Sequence, residues 1–252
     1  LLDIREKEHV EEIICNFKPD IVIHTSALTN IDLCETDKKM AFDINVTGIE
    51  NVLNACKKIN AKIVYISTSH VFSKNKDEFF EIDETSPMNY YGTTKDTAEK
   101  MIINSNTSYL ILRTDQPYCW IESGQKTNSV LRVISSIRAL KEFSEINDWQ
   151  NCPTYVPNFI SVCMSLIEKN KTGIFHVAGK DFINRYEWGL KICEIFNLDS
   201  KYLKSISSNK LNLPAIRPNV KLNSDKASKT TGISLMGINE GMLKMRNENE
   251  HL

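Results

Sequence analysis

The sequence has little glycine where a nucleotide-binding protein needs it. Nine glycines are spread over 252 residues, and only Gly237 and Gly241 stand within four residues of each other. No Gly-x-Gly-x-x-Gly motif or Walker-type loop is present. Such loops let backbone N–H groups approach a pyrophosphate at a helix N-terminus. Two interpretations stay open: the protein never had a dinucleotide loop, or this sequence begins after one.

A strong charge of one sign and long apolar runs are also lacking. The net charge is −1, with 31 basic and 32 acidic residues, so no positive field favours nucleic acid or an anionic membrane. No apolar run reaches the roughly 20 residues of a membrane span. The mixed, acidic opening LLDIREKEHV is unlike a signal peptide. With 41% hydrophobic and 25% charged residues, the sequence predicts a soluble globular protein of the cytoplasm.

Cysteines in metal or redox spacing are missing as well. The seven cysteines are odd in number, no two form a C-x-x-C pair, and no histidine cluster accompanies them. Several stand in apolar stretches such as SVCMSL and LKICEIF. This usage favours buried free thiols in a reducing compartment and predicts no metal site.

Helix-like and strand-like segments alternate through the first half of the chain. The predicted strands are 21–27, 61–68 and 108–114, and the predicted helices are 9–17, 38–58 and about 90–104. Apolar strands separated by helices of ten or more residues indicate a parallel sheet covered on both faces. The predicted fold class is therefore α/β, with a doubly wound parallel sheet.

The second half alternates less regularly. Helical patterns are expected at 127–143, 157–170 and 184–198, a strand is expected at 173–179, and 148–156 is expected to be a loop that ends in a strand. From about residue 115 onward, the pattern favours a smaller lobe built on the first one.

Tyr91 and Lys95, in NYYGTTKDTAEK, are spaced to share one helix face. Reduction of a ketone needs a proton and an anchor for the developing alkoxide. A tyrosine phenol can supply the proton, and a nearby ammonium lowers its pKa from about 10. Thr68, at the carboxyl end of a predicted strand, can anchor the carbonyl oxygen. A packing aromatic at Tyr91 and a backbone-bonded hydroxyl at Thr68 remain the alternatives, and Tyr90 is expected to pack or to line the pocket.

Several segments, in order, resemble the extended short-chain dehydrogenase/reductase family, and within it the dTDP-4-dehydrorhamnose reductases. They are LLDI, KPDIVIHTSALTNIDLCE, NVTGIENVLNACKKINAKIVYISTSHVF, PMNYYGTTKDTAEK, LILRTDQPY, CPTYV and AIRPNVKLNSDK. The resemblance implies that about 35–40 residues, with the glycine loop, precede the matching region in relatives. It also implies an NAD(P)-binding Rossmann-like domain over 1–145 that lacks its first βα unit. A substrate-binding lobe, mainly 146–252, is interleaved with that domain.

The resemblance also implies site residues and a reaction. The implied catalytic residues are Thr68, Tyr91 and Lys95, and the implied contacts to NADPH or NADH are Asp3, Ile4, Thr25, Ser26, Ala27, Tyr91 and Lys95. The implied substrate contacts are Val71, Phe72, Gln116, Thr154 and Arg217. The expected activity is an NAD(P)H-dependent reduction of a nucleotide-linked 4-keto-6-deoxy sugar, by an oxidoreductase acting on a CH–OH group. A homodimer is compatible with this expectation.

Other residues carry two interpretations. Asn45 matches a family asparagine that bonds backbone near the catalytic strand, or it is an exposed helix side chain. Arg113 can contact a diphosphate or form a structural ion pair at the sheet rim. The family's STDYVFDG is STSHVFSK here and its RTSWVY is RTDQPY, so Ser69, His70 and Gln116 replace Asp, Tyr and Trp. His70 is either a catalytic base or part of the pocket wall.

Two further functions are weighed against the reductase. A nucleotide-sugar dehydratase or epimerase shares the family, but a dehydratase needs acidic residues beside the strand-end threonine, and STSH offers none. A non-catalytic relative resembling the regulatory β subunit of methionine adenosyltransferase shares the fold and a segment similar to NDWQNCPTYV. The pair Trp149 and Gln150 carries that likeness, and retained Tyr91 and Lys95 are compatible with it.

Overall fold

The computed structural model describes residues 2–73 and 76–249, so Leu1 of the LLDI segment lies outside the described residues. The α-helices are α1 (Lys7–Phe17), α2 (Ile31–Thr36), α3 (Lys38–Phe42), α4 (Gly48–Ile59), α5 (Tyr90–Ile103), α6 (Ser129–Arg138), α7 (Val156–Glu168), α8 (Arg185–Ile195), α9 (Asp225–Thr231) and α10 (Ile238–Asn249). The strands are β1 (Ile21–His24), β2 (Lys62–Thr68), β3 (Tyr109–Thr114), β4 (Pro117–Tyr118), β5 (Phe143–Ile146), β6 (Gln150–Asn151), β7 (Thr154–Tyr155), β8 (Gly173–His176), β9 (Ile183–Asn184) and β10 (Leu203–Ile206).

The main sheet has four strands in the order β1-β2-β3-β8, and every neighbouring pair is parallel. The predicted α/β parallel sheet is thereby confirmed. Register pairs Thr68 with Thr114, so the ends of β2 and β3 lie side by side. Because the strands are parallel, their carboxyl ends share one edge of the sheet, where doubly wound folds place their ligands.

Apolar side chains cover both faces of this sheet, as its apolar strands require. One face packs on α1, α4 and α5, with Val10, Ile49, Leu53, Ile102 and Ile111 in its core. The other packs on α7 and α9, with Val64, Leu112, Val162, Leu166 and Ala227. A separate cluster joins α6, α8 and α10 through Val130, Trp188, Ile192 and Met242. The domain boundary at 145/146 stays a prediction.

Several predicted elements differ in extent from the observed ones, and the next three differ most clearly. Strand β1 ends at His24, so Thr25, Ser26 and Ala27 follow the strand instead of ending it. The predicted helix over 38–58 consists of α3, a π-helical turn at Asp43–Thr47 and α4. The helix predicted to reach residue 143 ends at Arg138, and Leu140 has a left-handed backbone with φ 55°.

The start of α5 lies directly against the turn that follows β2. The Asn89 side chain caps the helix, because its Oδ1 accepts a hydrogen bond from the Gly92 N–H at 2.8 Å. A Cβ on Gly92 would stand 2.1 Å from the carbonyl oxygen of His70, so only glycine permits this approach. The contact brings the first turn of α5 beside the end of β2.

All seven cysteines are free thiols, and five of them are buried. Within the described residues, no helix is both long enough and apolar enough to cross a bilayer.

Candidate active site

Thr68 and Tyr91 meet where β2 ends and α5 begins. Both are largely buried, at 6% and 9% exposure. Burial raises the pKa of the Tyr91 phenol to about 12, and hydrogen bonding with the Thr68 side chain acts in the opposite direction. The negative charges of Cys34 and Asp115, when ionised, raise this pKa further. The phenol therefore stays protonated at neutral pH, which suits a proton donor.

Lys95 stands one helical turn after Tyr91 and lies beneath the site. Its Nζ donates to the Ile66 carbonyl oxygen at 2.7 Å and sits 4.0 Å from the Tyr65 ring centroid. Burial lowers the pKa of Lys95 to about 7, against the opposing effect of Glu99. The effect of Lys95 on Tyr91 stays a prediction, and a lysine with a pKa of about 7 is only partly charged near neutral pH.

Glu99 continues the same helix face one turn beyond Lys95. It is 1% exposed and accepts hydrogen bonds from Arg113 Nε at 3.0 Å and Nη2 at 2.6 Å. The Ser67 hydroxyl donates to the same carboxylate at 2.5 Å. Arg113 is itself 2% exposed, so it is the structural ion pair of the two interpretations, not a diphosphate contact. The pair fastens α5 to the ends of β2 and β3.

His70 belongs to the wall of the site as a neutral imidazole. The Asn89 Oδ1 is occupied by Gly92, so its Nδ2 faces His70 Nδ1 at 2.8 Å and donates to it. The proton of the ring therefore resides on Nε2. Burial lowers the pKa of His70 to about 4, and the Arg217 charge acts in the same direction. The pocket-wall interpretation is supported, because an imidazole protonated on Nε2 with Nδ1 occupied is a donor and not a base.

Asp115 brings a carboxyl group to the same place from the end of β3. It is 4% exposed, and its Oδ2 accepts a hydrogen bond from the Cys152 N–H at 2.7 Å. The side chains of Ser69 and Asn151 also hydrogen-bond to the carboxyl group. Burial raises the pKa of Asp115 to about 7 despite these bonds and the Arg185 charge. An acidic group thus does stand beside the strand-end threonine, although the letters STSH contain none.

Asn45 fixes the segment after β1 through hydrogen bonds to its backbone. Its Oδ1 accepts from the Leu28 N–H at 2.7 Å, and its Nδ2 donates to the Leu28 carbonyl oxygen at 3.1 Å and to Thr94 Oγ1 at 3.0 Å. Asn45 therefore bonds backbone as the resemblance implies, and it is not exposed. Thr25 and Ser26 are exposed and Ala27 is half-buried, so this segment is accessible to a ligand.

Asp3 and Ile4 lie on the segment that precedes α1. The Asp3 carboxylate pairs with Arg5 at 2.5 Å, and the Arg5 side chain, by hydrogen bonding, lowers the pKa of Asp3 to about 2. Ile4 packs on α4, where a Cβ added to Gly48 would stand 2.6 Å from its Cδ1. The cofactor contacts of Asp3, Ile4, Thr25, Ser26 and Ala27 stay predictions.

Three of the five implied substrate contacts are buried as structural residues. Val71 and Phe72 have no exposed surface and belong to a core cluster with Phe79. Thr154 is 1% exposed, and its hydroxyl both donates to the Cys152 carbonyl oxygen and accepts from the Gly179 N–H. Their substrate contacts stay predictions, and the structure shows all three side chains supporting the wall of the site.

Gln116 and Arg217 are engaged within the protein but keep some exposed surface. Gln116 Oε1 accepts from Arg185 Nη1 at 2.8 Å and from the Ser129 hydroxyl at 3.2 Å. Arg217 pairs with Asp32 at 2.5 Å, and its guanidinium lies 5.5 Å from the Trp149 ring centroid. Their substrate roles remain predictions.

Sequence reasoning missed Glu99, Asp115 and Asn89, although each carried a signal. Glu99 follows Lys95 by four residues on one helix face. Asp115 directly follows a strand at the sheet edge where ligands bind. Asn89 stands immediately before a helix, where a capping side chain is favoured.

Comparisons with known proteins show the family and the fold. A family model described as "RmlD substrate binding domain" matches residues 1–250. The methionine adenosyltransferase 2 subunit beta of Rattus norvegicus is 29% identical over 92% of this chain and 71% of its own length. The dTDP-4-dehydrorhamnose reductase of Escherichia coli K12 is 28% identical over 98% and 85%. The crystal structure of the Bacillus anthracis dTDP-4-dehydrorhamnose reductase in complex with NADP superimposes with a TM-score of 0.91 at 27% identity, covering 98% of this chain and 87% of that one.

Proposed function

The chain belongs to the RmlD substrate-binding domain family, and on this premise we propose that it is an NAD(P)H-dependent reductase of a nucleotide-linked 4-keto-6-deoxy sugar. The observation that carries the proposal is the meeting of Thr68 and Tyr91 at the carboxyl end of β2, with Lys95 one turn further. The similar Escherichia coli protein, named dTDP-4-dehydrorhamnose reductase, supports the substrate class.

A nicotinamide cofactor fits the described residues at its nicotinamide–ribose end. Lys95 Nζ carries three donors, and the Ile66 carbonyl oxygen accepts from one of them. The others can hold ribose hydroxyls, while the accessible Thr25–Ala27 segment borders the same edge of the sheet. When bound, the cofactor supplies the hydride. The 252 residues contain no glycine loop of the kind that holds a pyrophosphate.

The residues of the chain supply the proton and the anchor. The Thr68 hydroxyl donates to the carbonyl oxygen of the sugar, and the Tyr91 phenol gives its proton to that oxygen as charge develops. With its proton on Nε2, His70 offers a further donor for a ligand oxygen. We expect this set to act in the reducing cytoplasm, where the free thiols remain reduced.

A second candidate is a non-catalytic regulatory relative. The 29% identity to methionine adenosyltransferase 2 subunit beta favours this candidate, because the identity to the dTDP-4-dehydrorhamnose reductase is almost the same, at 28%. Trp149, which carries the likeness in sequence, is only 8% exposed, and the guanidinium groups of Arg185 and Arg217 each lie 5.5 Å from its ring centroid. A binding surface at that tryptophan would need these two arginines to move.

The test separates the two functions. The protein, produced from its own reading frame, is incubated with NADPH or NADH and a dTDP-linked 4-keto-6-deoxy sugar, and cofactor oxidation and the sugar product are measured. The reductase gives stoichiometric oxidation and a 4-hydroxy sugar. A protein that leaves the sugar unchanged but binds a methionine adenosyltransferase contradicts the proposal and supports the second candidate.

A further inference from the structure

Asp115 is held by hydrogen bonds from two other segments at the end of the sheet. It follows Thr114, the last residue of β3, and receives the Cys152 N–H at 2.7 Å. The side chains of Ser69, after β2, and Asn151, in β6, complete its hydrogen bonds. A carboxyl group with three hydrogen-bond partners and 4% exposure is part of the built site, not a solvated surface charge.

The surroundings of Asp115 act on its charge in both directions, because the hydrogen bonds from Cys152, Ser69 and Asn151 favour the ionised carboxylate. Asn151 Oδ1 is buried and has no donor among the described residues. The Asn151 side chain donates to the carboxylate as it stands, so a protonated Asp115 can donate to that oxygen only once the amide is turned over. Burial favours the protonated carboxyl group by raising the pKa of Asp115.

The charge on Asp115 reaches the proton donor of the site. The titratable groups that it affects are Tyr91 of α5 and Cys152 after β6, and its ionisation raises the pKa of both. The cation that faces it is Arg185 of α8, which opposes protonation. Arg185 is already bound by Glu145 through two hydrogen bonds of 3.1 and 2.8 Å, so its charge is largely compensated.

We infer that Asp115 is a positioning residue of this site, which holds Ser69 beside Thr68 and, through its charge state, sets how readily Tyr91 releases its proton. The inference rests on the proposed function and deepens it. When Tyr91 gives its proton to the sugar oxygen, a phenolate remains. A neutral Asp115 leaves that phenolate undisturbed, whereas an ionised Asp115 opposes it. Reduction is therefore expected to slow as rising pH ionises Asp115.

The carboxyl group is tested first without any activity measurement. Protein labelled with ¹³C at the aspartate carboxyls is titrated by NMR, for the wild type, Asp115→Asn and the exposed control Asp20→Asn. One resonance is expected to titrate near pH 7, to persist in Asp20→Asn and to vanish in Asp115→Asn. If every aspartate titrates in the acid range, the inference is overturned.

Coupling to Tyr91 is measured with a fluorinated tyrosine at position 91, whose phenol titrates at a lower pH. In Asp115→Asn its proton affinity is expected to fall by about tenfold, which corresponds to one pKa unit. An unchanged titration overturns the inference, whether or not the protein turns over a sugar. If Asp115→Asn does not fold, Asp115→Ser replaces it, since it carries the residue found in the family segment RTSWVY.

The dependence of the reduction rate on pH then tests whether ionisation of Asp115 slows turnover. As Asp115 ionises, the wild-type rate is expected to fall by up to about tenfold and then to level off, and Asp115→Asn is expected to remove this limb. The same limb in both proteins contradicts the inference but leaves the reductase standing. Absence of turnover in the wild type contradicts the proposed function, while the two titrations still decide the state of Asp115 and its coupling.

Discussion

The amide nitrogen of Asn89 donates to Nδ1 of His70 across 2.8 Å, which fixes the imidazole proton on Nε2. The bond exists because Asn89 also caps α5 through its other amide atom. Helix capping and the orientation of a site residue thus depend on one side chain. A neutral, buried histidine in this position has consequences for stability at low pH and for ligand binding.

The first consequence is a loss of stability in acid. The folded pKa of His70 is about 4, below its ordinary value of 6.5, so the unfolded chain binds more protons as pH falls through this window. The stabilisation is present above pH 6.5 and is lost as pH falls toward 4, to the order of 3 kcal/mol. Urea unfolding of His70→Gln should show a shallower loss between these pH values. An identical slope in both proteins contradicts the burial of a neutral His70.

The second consequence of a neutral His70 is a hydrogen-bond donor at its Nε2 atom. His70→Phe removes the donor and keeps the ring, so we expect KM for the nucleotide sugar to rise by about tenfold with a smaller change in kcat. The control is His9→Phe on the exposed face of α1. A kcat that collapses while KM stays constant would instead assign His70 to proton transfer.

The buried pair of Glu99 and Arg113 should matter for folding. Glu99→Ala leaves the Arg113 charge buried without its partner, and we expect the free energy of unfolding to fall by about 3–5 kcal/mol. The matched control is Asp225→Ala, which removes the exposed partner of Lys229 and should change stability by less than about 0.5 kcal/mol. Equal effects in urea unfolding would contradict the structural role of the buried pair.

We expect the fold to become more stable when Lys95 is replaced by an apolar residue. Its folded pKa of about 7 lies below the ordinary 10.5, so stability rises with pH between these values as the unfolded chain loses its extra proton. Lys95→Met removes the buried ammonium, and we expect a gain of about 1–3 kcal/mol at neutral pH together with loss of cofactor-dependent turnover. A destabilised Lys95→Met shows that the bond to Ile66 and the Tyr65 contact outweigh burial.

Gly92 tests the approach of α5 to β2. Gly92→Ala places a Cβ against the backbone of His70, so we expect a loss of about 1–3 kcal/mol and a fall in turnover. Gly189→Ala is the comparison, because its Cβ would meet the end of the Leu203 side chain, which can shift. If both variants lose equally little stability and turnover, the start of α5 is not positioned by the contact between Gly92 and His70.

The sheet can be predicted from the sequence because each of its strands is a short apolar run. Such a run is recognised from neighbouring residues alone, without knowledge of distant contacts. Thr68, Tyr91 and Lys95 are predictable for a similar reason, since strand ends and four-residue helix spacing place them together. Exposure is not local: Val71 and Phe72 match ligand contacts in the resemblance, yet packing against Phe79 and Cys152 buries them here.

The ion-pair partner of a charged side chain also cannot be identified without the folded structure. Arg113 and Glu99 are 14 residues apart in sequence, and no pattern in the letters selects one as the partner of the other. The carboxyl group beside Thr68 comes from a different strand, so the letters STSH could not reveal it.

The central claim is that Tyr91 is the proton donor of a reductase, and a pair of adjacent substitutions tests it most directly. The rate of NADPH oxidation with the nucleotide-linked keto sugar is measured for Tyr91→Phe and for Tyr90→Phe, with folding checked by circular dichroism. We expect Tyr91→Phe to lose about 10²–10⁴-fold in kcat and Tyr90→Phe, whose ring instead lies 5.2 Å from Lys38 Nζ, to stay near wild type. Unchanged turnover in Tyr91→Phe would contradict the account.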